Sequence, residues 1–353
     1  MSVEIITGDC LAVLKTLPAQ SIHCCVTSPP YWGLRDYGVE GQIGLEPTLA
    51  GYVDNLVAVL REVRRVLRDD GTLWLNLGDS YAAQRGGTHM PASTLAGGVG
   101  GLTASGERVN QGRNDGYNPT RNASKIGLKH KDLIGIPWRV AFALQADGWW
   151  LRQDIVWSKP NPMPESVTDR CTRSHEYIFM LTKSARYYYD AAAIADPAKT
   201  HLNDPDSNRS TLSGGGHGRH VLGSAIPEKQ RRTDKQRGHS RRHAGFNERW
   251  DKQEEQGRCS KTRNKRSVWT VSTAPFKGSH FATFPPKLIE PCILAGCPVG
   301  GTVLDPFGGA GTTGLVADRL GRNAILIELN SEYAAMAKDR IADDAGMFAQ
   351  AVG

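Results

Sequence analysis

No Cys-x-x-Cys pair and no Cys/His spacing of the zinc-binding kind occurs in these 353 residues, so no structural metal is expected. The seven cysteines are an odd number, and Cys24 and Cys25 are adjacent inside an apolar run. That usage fits reduced thiols in a cytoplasm rather than a disulfide framework. No apolar stretch approaches the roughly 18–20 residues of a membrane span. The amino terminus lacks a basic-then-apolar leader, so a cytoplasmic protein with no membrane partner is expected. What remains, 39% hydrophobic and 22% charged, is ordinary for a soluble chain that forms one large domain with insertions, or two domains.

Most of the chain also lacks any excess of positive charge. Of 43 Lys+Arg and 36 Asp+Glu, residues 199–266 hold 17 and 8, which leaves 26 against 28 elsewhere. The net charge of +7 therefore belongs to one segment, and a polyanion is the partner it implies. In that segment Arg231-Arg232, Arg241-Arg242 and Lys265-Arg266 alternate with His, Gly and Ser among few core-forming residues. It reads as a target-recognition region whose Arg and Lys bind phosphates and read base edges, in preference to a solvated insert. Residues 82–125 show little apolar periodicity and read as a flexible loop or disordered insert.

Regular structure is expected on either side of these inserts. Val3–Thr7 and Ile22–Val26 read as strands, with the turn Gly8-Asp9-Cys10 leading to a helix over Leu11–Leu17. Leu49–Leu67 carries apolar residues at helical spacing, ends at Asp69-Asp70-Gly71, and is followed by a strand over Thr72–Leu77. This βαβ unit favours a parallel sheet. Further elements are a helix over Ile134–Gln145, strands over Trp149–Trp157 and Glu176–Thr182, a hairpin extension at Arg186–Tyr189, and a helix over Leu288–Leu294. A strand Thr302–Asp305, a helix Thr312–Leu320, a strand Ala324–Ile327 and a last helix capped by Ser331 and reaching about Ile341 complete the chain.

Two stretches carry chemistry. Thr27-Ser28-Pro29-Pro30-Tyr31-Trp32 stops a buried strand abruptly, since neither proline can donate to a ladder. The corner falls just past a strand's carboxyl end, where open α/β sheets place ligands. It offers the Ser28 hydroxyl, the Pro29 carbonyl and the face of Tyr31, which suit a planar base bearing an NH2 group. That amine is a poor nucleophile because its lone pair is delocalised into the ring. Acceptors on both its hydrogens favour a more tetrahedral nitrogen with the lone pair directed outward. Trp32 reads equally as pocket wall or core.

The second stretch is strand, Pro306-Phe307-Gly308-Gly309-Ala310-Gly311, helix, strand and then Glu328, a nucleotide-binding half-site with an acid placed to hold ribose hydroxyls. Gly309-Ala310-Gly311-Thr312-Thr313-Gly314 also fits the dinucleotide pattern GxGxxG. A dehydrogenase would leave the proline corner without a purpose, and only about 25 residues follow Glu328. A cofactor with one nucleoside and no pyrophosphate fits better. Asp9, at another strand end, reads as a helix cap first and a ligand acceptor second.

Together these stretches resemble the amino-directed DNA methyltransferases, the group whose catalytic motif precedes its cofactor motif (the beta class). Thr27-Ser28-Pro29-Pro30-Tyr31 looks like the catalytic motif, which makes Ser28, Pro29, Pro30 and Tyr31 the expected catalytic residues. Asp305 to Thr313 looks like the cofactor loop, and Glu328 matches the ribose-binding acid. His280-Phe281-Ala282-Thr283-Phe284-Pro285 resembles the motif lining the methionine pocket, and Gly8-Asp9-Cys10 the segment contacting the cofactor's adenine. The resemblance implies S-adenosyl-L-methionine as cofactor, held by Asp9, Thr283, Phe284, Asp305, Phe307, Gly309, Gly311, Thr312, Thr313 and Glu328. It also implies a Rossmann-like α/β methyltransferase fold with a mostly parallel sheet and helices on both faces.

In that arrangement residues 1–194 form the catalytic part, 195–266 the basic insert and 267–353 the cofactor part of the same domain. Implied too are double-stranded DNA as partner, a flipped target base, direct methyl transfer without a covalent enzyme intermediate, and a cognate restriction endonuclease. The setting would be bacterial or phage-encoded, as a monomer or homodimer. Ser28 stands where many adenine-N6 members carry Asp, so cytosine N4 is favoured over adenine N6. An RNA or protein-amide methyltransferase, and a nucleic-acid-binding protein without activity, are the remaining readings.

Overall fold

The computed structural model describes residues 1–34, 36–83, 127–197, 262–273 and 284–351, with side chains described as far as Asp344. Most of the expected insert 82–125, the four arginines Arg231, Arg232, Arg241 and Arg242, and residues 280–283, Thr283 among them, lie outside the described residues. The chain falls into two compact units, Met1–Ile194 with Arg266–Gly353, and Ala195–Lys265. In the second unit Asp196–Pro197 pairs antiparallel with Thr262–Arg263, and Lys265 Nζ lies 3.4 Å from Asp196 Oδ1.

The larger unit is built on one eight-stranded sheet. Its strands are β1 (Val3–Thr7), β2 (Ile22–Thr27), β3 (Leu67–Leu77), β4 (Trp150–Ser158), β5 (His175–Thr182), β6 (Val268–Thr270), β7 (Thr302–Asp305) and β8 (Asn323–Glu328). They lie in the order β1-β8-β7-β2-β3-β5-β4-β6. From β1 to β3 every pairing is parallel; β5 runs antiparallel to both β3 and β4, and β6 is parallel to β4. The helices are α1 (Cys10–Thr16), α2 (Leu49–Val66), α3 (Ile136–Ala146), α4 (Pro286–Gly296), α5 (Thr312–Arg319) and α6 (Ser331–Ala351).

Both faces of the central strands are buried, as a parallel sheet requires. Cys25, Leu73, Leu75, Phe179 and Leu181 face α1, α2 and α3, whereas Cys24, Val26, Trp74, Ile178 and Met180 face α4 and α5. Period-2 alternation thus sends the adjacent Cys24 and Cys25 to opposite faces. In α2, the buried stripe Tyr52, Leu56, Val59, Leu60, Val63 and Val66 follows helical spacing, and Thr48 Oγ1 caps it at 3.1 Å from Gly51 N. Each such fully buried side chain contributes roughly 1.5–3 kcal/mol.

The two ends of the chain interleave. β1 lies along β8 from Val3↔Ala324 to Thr7↔Glu328, and β2 lies beside β7 with Cys24↔Val303 and Cys25↔Leu304. From β2 the chain moves one way through α2 to β3; from β7 it moves the other way through α5 to β8. Strand order therefore reverses between β2 and β7, and a crevice for ligands opens at the carboxyl ends of such a pair.

Several expectations shift. α2 passes directly into β3 at Leu67, because the strand begins pairing there (Ile22↔Leu67) and continues through 69–71 with a register shift. A Cβ at Gly71 would sit 3.0 Å from Arg68 O, so only glycine passes there without displacing backbone. Arg186–Tyr189 extends no hairpin: Tyr188 N–H bonds to Asp70 O at 2.8 Å, and Tyr189 stacks on Trp74. The last helix runs on to Ala351, and its cap is Asn330, whose Oδ1 accepts from Glu332 N at 2.8 Å, rather than Ser331.

Candidate active site

The Ser28–Tyr31 corner leaves the carboxyl end of β2, and the Pro306–Gly311 loop leaves that of the neighbouring β7. One side chain joins them. Asp305, 2% exposed, accepts from Thr27 Oγ1 and from Thr313 Oγ1, both at 2.6 Å, and from Phe307 N–H at 3.1 Å. Thr313 Oγ1 also lies 3.4 Å from the Val26 carbonyl. Thr27, Asp305 and Thr313, from two strands and the following helix, thus lock the two motifs together. Burial pushes the Asp305 carboxyl up to about 6, with the three hydrogen bonds pulling the other way.

At the corner itself, Ser28 and Tyr31 are half-buried. Tyr52 donates its hydroxyl to the Pro30 carbonyl at 2.9 Å, while no donor among the described residues reaches the Pro29 carbonyl. The neighbouring prolines therefore differ: the Pro30 carbonyl is taken by the Tyr52 hydroxyl, and the Pro29 carbonyl by no donor among the described residues. The Tyr31 hydroxyl donates to Glu176 Oε2 at 2.8 Å and has Asn76 Oδ1 at 3.2 Å. Burial and the adjacent Glu176 carboxylate hold the phenol well above its ordinary range, partly offset by the Ser28 hydroxyl, so it stays a donor. Trp32 is core: it is 1% exposed and donates to Glu46 O at 2.9 Å. The Gly33–Gly44 loop is closed at its base by Gly33 N–H to Gly44 O at 2.7 Å.

On the other side of the crevice, Glu328 ends β8. Its two carboxylate oxygens accept from Gly309 N–H at 2.7 Å and Asn330 N–H at 2.9 Å, and burial raises its pKa. A carboxylate has about four acceptor sites, so lone pairs remain for a vicinal diol. Gly8 N–H bonds to Glu328 O at 2.9 Å, which brings the Asp9 turn alongside. Asp9 caps α1 through Oδ1, 2.8 Å from Ala12 N. Gly309 and Gly311 hold positive φ of 49° and 76°, as the tight turn requires. A Cβ at Gly311 would come within 2.8 Å of Ala337 Cβ, so this glycine also admits α6 against the loop.

Phe307 is half-buried beside the loop, and Phe284 is buried with the core around α4. Lys265 pairs with Asp196, and Arg266 is exposed. Two contributors escaped the motif reading. Arg340, from α6, donates to Ala310 O at 2.7 Å and to Thr312 Oγ1 at 2.9 Å, so it braces the glycine loop. Gly78, at the end of β3, lies against the Tyr31 ring, where a Cβ would be 2.4 Å from Cε2. Only the adjacency of glycine to a strand end could have drawn attention to Gly78.

A family model described as DNA methylase, for N6 and N4 methylation, matches residues 22–339. The Type II methyltransferase M.XycI of Xanthomonas campestris pv. cyanopsidis is 45% identical over 334 residues, spanning 95% of this chain and 86% of its own length. The Type II methyltransferase M.SmaI of Serratia marcescens is 44% identical over 341 residues, spanning 96% and 91%. Among solved structures, PvuII DNA methyltransferase (cytosine-N4-specific) superposes with a TM-score of 0.56 at 17% identity, covering 98% of this chain and 91% of that one. At that identity the likeness establishes the fold, a Rossmann-like methyltransferase sheet.

Proposed function

From the premise that this chain belongs to the N6/N4 DNA methylase family, we propose that it methylates the N4 amine of cytosine at a specific DNA site. It is an S-adenosylmethionine-dependent DNA amino-methyltransferase. The finer reading concerns which base, which residues and which partners. Bound S-adenosylmethionine supplies an electrophilic methyl group on a sulfonium. The donor set at β8 fits such a ligand: Glu328 retains lone pairs for ribose hydroxyls, and the Gly309 turn has no side chain in the way. Asp9, Phe284, Phe307, Gly311, Thr312 and Thr313 would complete that side, with Thr283 from outside the described residues, and Asp305 would hold the loop.

The target base would leave the duplex and enter the crevice, since its amine cannot be reached in the stack. Tyr31 would stack on it. Ser28 and the Pro29 carbonyl would accept from its two amine hydrogens, directing the nitrogen lone pair at the methyl carbon. Positioning two bound reactants in line can remove about 7–11 kcal/mol of barrier. The observation that carries this reading is the Thr27–Asp305–Thr313 lock, which sets the proline corner beside the glycine loop at the strand-order reversal. Ser28 favours cytosine N4 because it offers one neutral hydroxyl where an adenine enzyme commonly offers a carboxylate.

The basic segment 195–266, with Arg231, Arg232, Arg241, Arg242, Lys265 and Arg266, is proposed as the DNA-reading region. Type II relatives point to a cognate restriction endonuclease as the functional partner. Incubating unmethylated DNA with the protein and S-adenosylmethionine, then hydrolysing it for nucleoside mass spectrometry, tests the base. N4-methylcytosine is expected; N6-methyladenine alone would overturn the cytosine reading.

A further inference from the structure

The hydroxyl of Tyr31 is fully engaged by protein. It donates to Glu176 Oε2 at 2.8 Å, with Asn76 Oδ1 at 3.2 Å as a second acceptor and the Ser28 hydroxyl as a further partner. Asn76 is itself fixed, since its Nδ2 donates to Tyr177 O at 3.1 Å and lies 3.3 Å from the same Glu176 oxygen. The other Glu176 oxygen is ion-paired with Lys159, whose ammonium sits 4.2 Å above the Trp157 ring. Both side chains of the pair are largely covered, at 16% and 18% exposure. Gly78 lies against the Tyr31 ring beside Cε2, with no space between them for even a methyl group.

This ion pair is not needed to hold its strands together. β4 and β5 are already registered over eight residue pairs, Trp157↔Glu176 and Ser158↔His175 among them. What the carboxylate adds is a charged acceptor for a phenol, a shorter and stronger bond than a neutral acceptor makes. A ring tied at its hydroxyl and pressed by Gly78 beside Cε2 has little room to turn.

We propose that Glu176 is a positioning residue for methyl transfer. With Asn76 it fixes the plane of Tyr31 on which the flipped base stacks, and Lys159 holds Glu176 in place. This rests on the reading of Tyr31 as the stacking platform. The base then meets the ring face alone, and its amine is delivered to Ser28 at a set height and angle. Misplacement by about 1 Å can lower the rate about 100-fold, so loosening the tether should slow the chemistry while leaving cofactor binding intact.

Single-turnover methyl transfer at saturating cofactor and DNA tests this, with cofactor affinity and melting temperature measured beside it. Tyr31→Phe keeps the ring and loses the tether; a fall of about tenfold is expected, the scale of one charge-assisted hydrogen bond. Glu176→Ala alone strands the Lys159 charge, so the pair is changed together. Lys159→Met with Glu176→Leu should fall in the same direction as Tyr31→Phe and no further, since the phenol keeps Asn76 and Ser28, whereas Lys159→Met with Glu176→Gln, which keeps an acceptor oxygen, should recover most of the rate. Adding Tyr31→Phe to the Leu variant should cost about twofold or less, because both remove one interaction. Wild-type rates in Tyr31→Phe and in the Leu variant, with Tyr31→Ala inactive, would overturn the positioning role and spare the platform. A wild-type rate in Tyr31→Ala would overturn the platform itself.

Discussion

The two walls of the crevice are built differently. The wall proposed for the cofactor, at the ends of β1, β8 and β7, is made from parallel strands, short polar side chains and backbone amides. Its central contact is a fully enclosed carboxyl between two threonines. The wall proposed for the acceptor base, where β3, β5 and β4 alternate in direction, uses side chains from separated segments, namely Asn76, Lys159 and Glu176, to hold one aromatic ring. The first arrangement is rigid because little in it can rotate. The second is held by interdependence: each member keeps its place through contact with another.

Breaking the rigid wall should have the largest effect. Asp305→Ala removes the acceptor of Thr27 Oγ1 and the shorter of the two bonds of Thr313 Oγ1, and should destabilise the fold by about 2–4 kcal/mol. Loss of cofactor binding should accompany the lowered melting temperature, and an unchanged melting temperature would remove the lock from the account. On the acceptor wall, Gly78→Ala drives a methyl group to within 2.4 Å of a Tyr31 ring carbon. The ring must turn, so transfer should slow about tenfold with stability changed by less than about 1.5 kcal/mol. A variant that lost cofactor affinity instead would place Gly78 on the wrong wall.

The smallest effect concerns protons. Asp305, raised to about 6 from an ordinary 3.8, binds its proton more tightly folded than unfolded. The stability this confers is complete below 3.8 and is lost as pH rises through about 6. Glu328 is raised in the same direction and adds to that slope. Asp305→Asn should therefore flatten, without abolishing, the decline in denaturant stability across this range. A decline as steep as in the unaltered protein would mean that the buried carboxyl is not shifted.

The cofactor wall was legible because its signals are local. The strand Thr302–Asp305, the glycine turn and the terminal Glu328 sit within one βαβ unit, and the observed boundaries follow the expected ones closely. The proline corner was legible for the same reason. Glu176 and Lys159 carried no such mark: each reads as an ordinary charge at a strand end, and only the antiparallel register of β4 with β5 brings them to Tyr31. Asp9 illustrates an ambiguity that spacing cannot resolve, since its carboxylate caps a helix while the preceding Gly8 bonds to the Glu328 carbonyl. Helix ends were the least legible, because Asn330 and Ser331 cap equally well on composition and the tertiary contacts decide.

The central claim is that donor and acceptor are held by opposite ends of one polypeptide, with labour divided between them. Calorimetric cofactor affinity and the single-turnover rate, measured together for Ser28→Ala and Glu328→Ala, test it most directly. Ser28→Ala should bind cofactor within about twofold of normal and transfer at least about tenfold more slowly. Glu328→Ala should lose cofactor affinity and regain much of its rate once cofactor is saturating. If Ser28→Ala instead lost cofactor and kept its saturated rate, the division would be contradicted.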